Sequence, residues 1–368
     1  MTAGISLCLI VRDEEPVIGR CLNSVQEIAD EIVVVDTGSG DQTKDIVSRY
    51  TDKVYDFVWV DDFAAARNFA FSLATRDYIL WLDADDVILQ PDRDKFMVLK
   101  HTLDPAVDSV LMVYNLARDE NGQVALSLRR NRLVKRSKHF RWVGAVHEYL
   151  AVTGHIINSD IAVTHLGIKP DSDRNLRIFE GLLDRGTPFS PRDLYYYAGE
   201  LMEHGRPEQA IAFYQRFLAT QQGWVEDNIA ACGRMADCYL ALNDEEQYLR
   251  CIYRSFDYDR PRPDFCCRLG DCFLRKEQLP QAIFWYTLAT QLQKPVIAWG
   301  VVNHTCYTWL PHLQLCACYD RAGNYELARK HNELAAEYIP DDPRIRANRQ
   351  YLENRSPTAG TPGQPVSR

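Results

Sequence analysis

Three carboxylates, Asp83, Asp85 and Asp86, close the apolar run I-L-W-L at 79–82. Like charges crowded at the end of a buried segment are costly unless something neutralises them. A hard divalent cation does so, because Mg²⁺ or Mn²⁺ takes oxygen ligands and shares them with a substrate's phosphates. The same spacing suits a solvated acidic turn before a helix, so position in the fold decides between the two. Two earlier apolar runs also end in polar clusters. Residues 5–11 lead into Arg12-Asp13-Glu14-Glu15, and residues 31–35 lead into Asp36-Thr37-Gly38-Ser39-Gly40.

The segments between these runs have helical spacing. Val17, Ile18, Leu22, Val25 and Ile28 recur on one face after Pro16, which suits a first helical turn. Further helical patterns cover 43–50 and 64–74, with a short strand expected over 53–58. Strand alternating with helix predicts an α/β domain with a parallel sheet covered on both faces. In such sheets ligands bind beyond the carboxyl ends of the strands. Polar clusters at three strand ends therefore converge on one crevice.

These residues carry a resemblance. I-S-L-C-L-I-V-R-D-E-E at 5–15, E-I-V-V-V-D-T-G-S-G-D-Q-T at 31–43, D-D-F-A-A-A-R-N at 61–68 and L-W-L-D-A-D-D at 80–86 resemble, in order and spacing, the family 2 glycosyltransferases. Their nucleotide-sugar-binding fold is GT-A (Rossmann-like), and the resemblance covers roughly residues 4–170. The subgroup most similar joins this domain to helical repeats and includes sublancin-type peptide S-glycosyltransferases. The resemblance implies that Asp36 contacts the nucleotide base, that Asp83 faces the ribose and Asp85 the metal, and that Arg67 lies beside the nucleotide. Many members carry two aspartates after the second strand; here Thr37 stands second, leaving Asp36 as the acidic candidate. A leaving diphosphate gathers charge that a cation at Asp85 would offset. A planar guanidinium at Arg67 suits a phosphate or a base edge. No G-x-G-x-x-G occurs, which argues against a dinucleotide cofactor.

Asn121-Gly122 between strand-like runs at 108–116 and 123–128 signals a hairpin. The run R-N-R-L-V-K-R-S-K-H-F-R-W at 130–142 is strongly basic in a chain of net charge −9. It suits a diphosphate or an acidic acceptor, and equally an edge strand that lysine and arginine protect from aggregation. Nucleic acid is not an expected partner, because the rest of the chain is acidic. Two later segments, V-G-A-V-H-E-Y-L at 143–150 and I-A-V-T-H-L-G at 161–167, are expected to complete the site. Inverting sugar transfer needs a base opposite the leaving group. By resemblance to repeat-bearing transferases with a His-Glu pair, Glu148 is the candidate, with Asp86 and His147 as rivals. His165 resembles a late histidine that completes the metal shell in several GT-A enzymes, and imidazole suits Mn²⁺ better than Mg²⁺. His147 is the alternative ligand.

Beyond Asp171 strands disappear and helical periodicity runs to about residue 353. Small and large positions recur at intervals of about 34 residues. Ala198, Gly205, Ala210 and Tyr214 match Ala236, Asn243, Tyr248 and Ile252, then Gly270, Glu277, Ala282 and Tyr286, then Cys316, Gly323, Ala328 and Asn332. This resembles tetratricopeptide (TPR) repeats, whose stacked helix pairs form a concave face suited to a peptide or protein acceptor, or to a homodimer. The expected layout is a transferase domain over 1–170, a linker over 171–190, repeats over 191–353 and a disordered Pro/Gly/Thr-rich tail over 354–368. The 11 cysteines are odd in number and lack any C-x-x-C, which argues for apolar filler rather than a disulfide framework or zinc. No segment has the apolar length of a membrane span, and the N-terminal run reads as a strand rather than a signal peptide, so a cytoplasmic location is expected.

Together these features predict a metal-dependent, inverting glycosyltransferase that uses a nucleotide-diphosphate sugar such as UDP-glucose. The expected acceptor is a peptide or protein side chain, Cys or Ser/Thr. A cell-surface glycan or lipid-linked acceptor, a nucleotidyltransferase, and a degenerate repeat-based binding protein are the alternatives.

Overall fold

The computed structural model describes residues 2–167, 173–295 and 299–355. The expected tail beyond 355 lies outside them. The chain forms two compact units. The first takes in the described parts of Met1–Ala117, Leu126–Asn243 and Ala298–Val301; the second those of Arg118–Ala125, Asp244–Ile297 and Val302–Arg368.

The first unit is built on β1 (Ile5–Val11), β2 (Glu31–Asp36), β3 (Val54–Asp56), β4 (Tyr78–Trp81), β5 (Asp86–Val87), β6 (Ser109–Arg118), β7 (Val124–Lys135) and β10 (Ile156–His165), in the sheet order β3-β2-β1-β4-β7-β6-β10-β5. A separate ribbon pairs β8 (Arg141–Val143) with β9 (Tyr149–Ala151). The four strands β3, β2, β1 and β4 run parallel, as the alternation predicts. The sheet is mixed beyond them, because β7 pairs antiparallel to β4 and β5 antiparallel to β10. Helices α1 (Ile18–Val25), α2 (Thr43–Val47), α3 (Phe63–Leu73) and α4 (Gln90–Thr102) connect the strands.

Strand side chains alternate between two cores. Leu7, Leu9, Val34 and Leu80 pack with Leu22 of α1 and Phe96 of α4. Cys8, Val33, Val35, Ile79 and Trp81 pack with Ala64 and Ala70 of α3. Burial on both faces explains why these strands read as continuous apolar runs.

The basic run at 130–135 corrects the edge-strand reading. It belongs to β7, which lies inside the sheet between β4 and β6. Arg132 there is fully buried, with Asp86 2.9 Å from its Nη2, the Trp81 carbonyl 3.3 Å from its Nη1, and the Trp81 and Tyr114 rings against its guanidinium.

Residues 174–184, within the span expected to link the domains, form helix α5 (Arg174–Asp184). Helices α6 (Pro191–Glu203), α7 (Pro207–Ala219) and α8 (Val225–Ala241) follow in the first unit. Ser190 starts α6 with a reciprocal capping box to Asp193. The second unit holds α9 (Glu245–Arg254), α10 (Pro263–Arg275), α11 (Leu279–Gln291), α12 (Trp309–Arg321), α13 (Tyr325–Ala336) and α14 (Pro343–Glu353).

The repeat logic is visible at matched positions. Gly205, Asn243, Glu277 and Gly323 all take positive φ, between 57° and 73°, where one helix ends and the next begins. Ala198, Ala236 and Gly270 are small so that the paired helices can approach; a Cβ on Gly270 would lie 2.8 Å from the Tyr286 ring. All 11 cysteines are buried, and none forms a disulfide. Among the described residues no helix is long and apolar enough to cross a membrane.

Candidate active site

The strand ends deliver the acidic candidates to one edge of the sheet. Asp36 is the last residue of β2 and 1% exposed. Its Oδ1 accepts from the backbone N–H of Gly38 at 2.8 Å and of Ser39 at 2.9 Å. Its Oδ2 is buried without a hydrogen-bond partner among the described residues. A buried carboxylate oxygen left this way is costly and marks a place for an incoming N–H or O–H. The turn needs Gly38, whose φ is +107°. Hydrogen bonds interlock it with the loop after β1: Gly40 N–H donates to Asp13 Oδ1 at 2.7 Å and Asp13 N–H to Ser39 Oγ at 3.0 Å.

A cavity of about 500 Å³ is lined by Arg12 and Asp13 after β1, Trp59 and Asp61 after β3, and Arg174, Arg177 and Ile178 of α5. In the sheet order β3-β2-β1, those loops flank the strand that ends in Asp36. The volume falls in the range of small-molecule sites.

The D-x-D-D segment divides into two clusters. Asp83 pairs with Arg67 of α3 at 2.5 Å, and the Arg67 Nε donates to Glu148. The guanidinium lies over the rings of Trp142, 4.8 Å away, and Trp81, 5.2 Å away. Asp62 caps α3 by accepting from Ala65 N–H, and the alanines on its buried face let the helix approach the sheet. Burial opposes the charge on Arg67, but Asp83 and Glu148 override it and hold the guanidinium firmly protonated. Burial likewise opposes the charge on Asp83, and Arg67 and Arg132 hold its carboxyl below the usual range. Sequence reasoning placed Arg67 beside the nucleotide; its guanidinium joins Asp83 to Glu148.

The second cluster is Asp85, Asp86 and His165, whose ligand atoms lie within 4.8 Å of one another. Antiparallel pairing of β5 with β10 puts His165 opposite Asp86. The His165 Nδ1 lies 3.4 Å from Asp85 Oδ1 and 3.7 Å from Asp86 Oδ1. Asp85 and then Asp86 hold the imidazole protonated, pushing it up to about 10. Two carboxylates and an imidazole that gives up this proton when a cation binds suit Mn²⁺ better than Mg²⁺. Among the described residues Asp86 Oδ1 is buried without a hydrogen-bond partner, so it has a lone pair to offer. Gly167 keeps the spot open: a Cβ there would lie 2.5 Å from Asp85 Oδ2 and 2.6 Å from the His165 ring. Negative charge accumulates nearby, since burial and then Asp85 push the Glu14 carboxyl up to about 7.

The rivals for the base role occupy different places. Asp86 is fully buried against Arg132, away from solvent. His147 and Glu148 line a small cavity of about 170 Å³ with Asp83, Arg67, Arg130 and Tyr196. The His147 Nε2 lies 2.7 Å from Glu200 Oε1, on α6. Arg130 and Arg132 could have been found from the i, i+2 alternation in R-N-R, which puts both on one strand face. Glu200 and Tyr196 carry no local signal. They lie some fifty residues from His147 in a segment read as repeat.

Known proteins share sequence with this chain over both its parts. The model of glycosyl transferase family 2 matches residues 6–161. A TPR repeat-containing protein of Synechococcus elongatus is 39% identical over 333 residues, covering 87% of this chain and 74% of that protein. The SPbeta prophage-derived glycosyltransferase SunS of Bacillus subtilis is 27% identical over 70% of this chain and 66% of its own length. An uncharacterized glycosyltransferase of Rickettsia typhi is 36% identical over 25% of this chain and 31% of its own. The chain belongs to the family 2 glycosyltransferases, in a form that continues from the transferase domain into TPR-like helical repeats.

Proposed function

We propose that the protein transfers a sugar, with inversion, from a nucleotide-diphosphate sugar of the UDP-glucose type to a Cys or Ser/Thr side chain of a peptide or protein. The observation that carries this reading is the paired arrangement at the strand ends: Asp36 with an unsatisfied buried oxygen, and Asp85, Asp86 and His165 gathered where a cation fits. In this reading Asp36 takes the base N–H, Asp83 the ribose, and Arg67 holds Asp83 and Glu148 in register beside the nucleotide. Trp59 offers a face for the base, and Arg12, Arg174 and Arg177 supply positive charge to the same cavity. Asp85, Asp86 and His165 hold Mn²⁺ or Mg²⁺, which when bound supplies charge to the departing diphosphate. The cytoplasm, where nucleotide sugars are available, is the proposed location.

Glu148 is the proposed base. Its Oε1 is engaged by Arg67, so Oε2 is the oxygen left to take the acceptor proton. A second reading gives that step to His147, and the contact with Glu200 favours it, because a carboxylate on one ring nitrogen leaves the other to accept. The peptide acceptor rests on the resemblance to peptide S-glycosyltransferases and on the helical hairpins, whose stacking suits an extended chain.

The test is incubation with UDP-glucose, Mn²⁺ and short peptides containing one Cys or one Ser, read by mass spectrometry and by NMR of the anomeric proton. A hexose adduct of inverted configuration supports the reading. Glu148→Gln should abolish transfer to Ser yet spare transfer to Cys, whose thiol ionises without a strong base. Full transfer to both by Glu148→Gln passes the role to His147.

A further inference from the structure

Helix α6 reaches the small cavity through one histidine. His147 has a left-handed backbone, φ +51°, which is uncommon for residues other than glycine. Three residues of α6 hold it there. Glu200 Oε1 takes its Nε2 at 2.7 Å. The Tyr196 ring stacks on the imidazole, with centroids 4.3 Å apart and planes 14° from parallel. Arg192 donates twice to the His147 carbonyl, at 3.1 Å from Nε and 2.9 Å from Nη2.

A merely structural joint would not need this chemistry. Glu200 is only 6% exposed, and burying a carboxylate costs more than an apolar side chain of similar size. Burial opposes its charge, but hydrogen bonds from His147 and Asn175 keep it ionised, below the usual range. About a third of the His147 side chain stays exposed, and the ring lines the cavity that also holds Glu148 and Asp83.

We propose that Glu200 is a positioning residue of the transferase site: its Oε1 accepts a hydrogen bond from the Nε2–H of His147 and so leaves Nδ1 as the nitrogen that receives the acceptor's hydrogen bond. The first helix after the linker span is then part of the active site, rather than only a surface for acceptors. This rests on the transferase reading above. It favours the second reading there, because a thiol or hydroxyl has one proton and donating it to His147 Nδ1 makes His147 its recipient rather than Glu148.

Two measurements on the full chain test it. The first uses UDP-glucose with Mn²⁺ and reads UDP release to water. Glu200→Gln should lower kcat about tenfold with KM unchanged, within the range for partners that orient a functional imidazole. In a His147→Asn background Glu200→Gln should add nothing. An equal loss in both backgrounds, or no loss in either, overturns the proposal. The second needs no substrate. Long-range ¹H–¹⁵N NMR of the imidazole should show His147 protonated at Nε2 in the wild type and a tautomer mixture in Glu200→Gln. Identical spectra overturn the proposal. Absence of UDP release by wild-type protein would sink the donor reading and leave the spectrum to decide the Glu200–His147 pair. If Glu200→Gln fails to fold, Glu200→Asp keeps the charge but draws it back by one methylene, and should give the same losses.

Discussion

Arg132 and Asp86 are both fully shielded from solvent in the first unit, and Arg67 is nearly so between Asp83 and Glu148. At the heart of the second unit stand Cys266, Cys267, Ala282 and Tyr286 instead. Burial there pushes the Cys266 thiol up to about 12 and the Cys316 thiol up to about 11, so both stay neutral. One interior pays to keep charge out of water; the other removes charge and relies on fit. Buried ion pairs are weak stabilisers at best. Their concentration around the D-x-D-D segment therefore points to chemistry, while the small-residue interior of the repeats points to packing.

Breaking the buried charge should have the largest effect. Arg132→Met removes the guanidinium partner of the buried Asp86, leaving His165 at 3.7 Å as a weaker one, and should cost about 3 kcal/mol in urea unfolding. Adding Asp86→Leu should recover most of that stability and none of the activity. A single substitution that left stability unchanged would mean the pair contributes nothing to the fold.

The second unit offers an exception that sharpens the contrast. His331 stacks between His312 and Tyr319. Burial first, then His312, lowers its pKa from 6.5 to about 4. The unfolded chain therefore takes up the proton more readily than the folded one. The stability this group contributes is present above pH 6.5 and is lost as pH falls through 4, by about 2–3 kcal/mol. His331→Phe should flatten that part of a pH–stability curve; an unchanged curve would place the acid sensitivity elsewhere.

The smallest effect is steric. Gly270→Ala puts a methyl 2.8 Å from the Tyr286 ring and should cost about 1–2 kcal/mol in thermal unfolding. Combining it with Tyr286→Leu should relieve part of that loss.

Much of this was legible in the residues because it is local. β1 begins and ends where its apolar run does, and the carboxylates at 83–86 announce themselves by standing at the end of another. The αL positions at Gly205, Asn243, Glu277 and Gly323 follow from the repeat spacing. What was not legible depends on pairing across long stretches of chain. His165 meets Asp86 only through the β5–β10 register, and Arg132 meets it only because β7 enters the sheet beside β4. The edge strand stood as one of two equal readings of the basic run because charge usually avoids interior strands, and no local feature reveals a buried partner 46 residues away in sequence. Glu200 was hidden for the same reason, on a helix whose periodicity matched a repeat.

If the strand-end carboxylates hold a nucleotide sugar and a cation, UDP release from UDP-glucose by purified protein, measured with Mn²⁺, with Mg²⁺ and with chelator, beside Asp85→Ala, should require the cation and fall by about 10³-fold or more on substitution. Release that is independent of metal, or undiminished by Asp85→Ala, would contradict that role for the carboxylates.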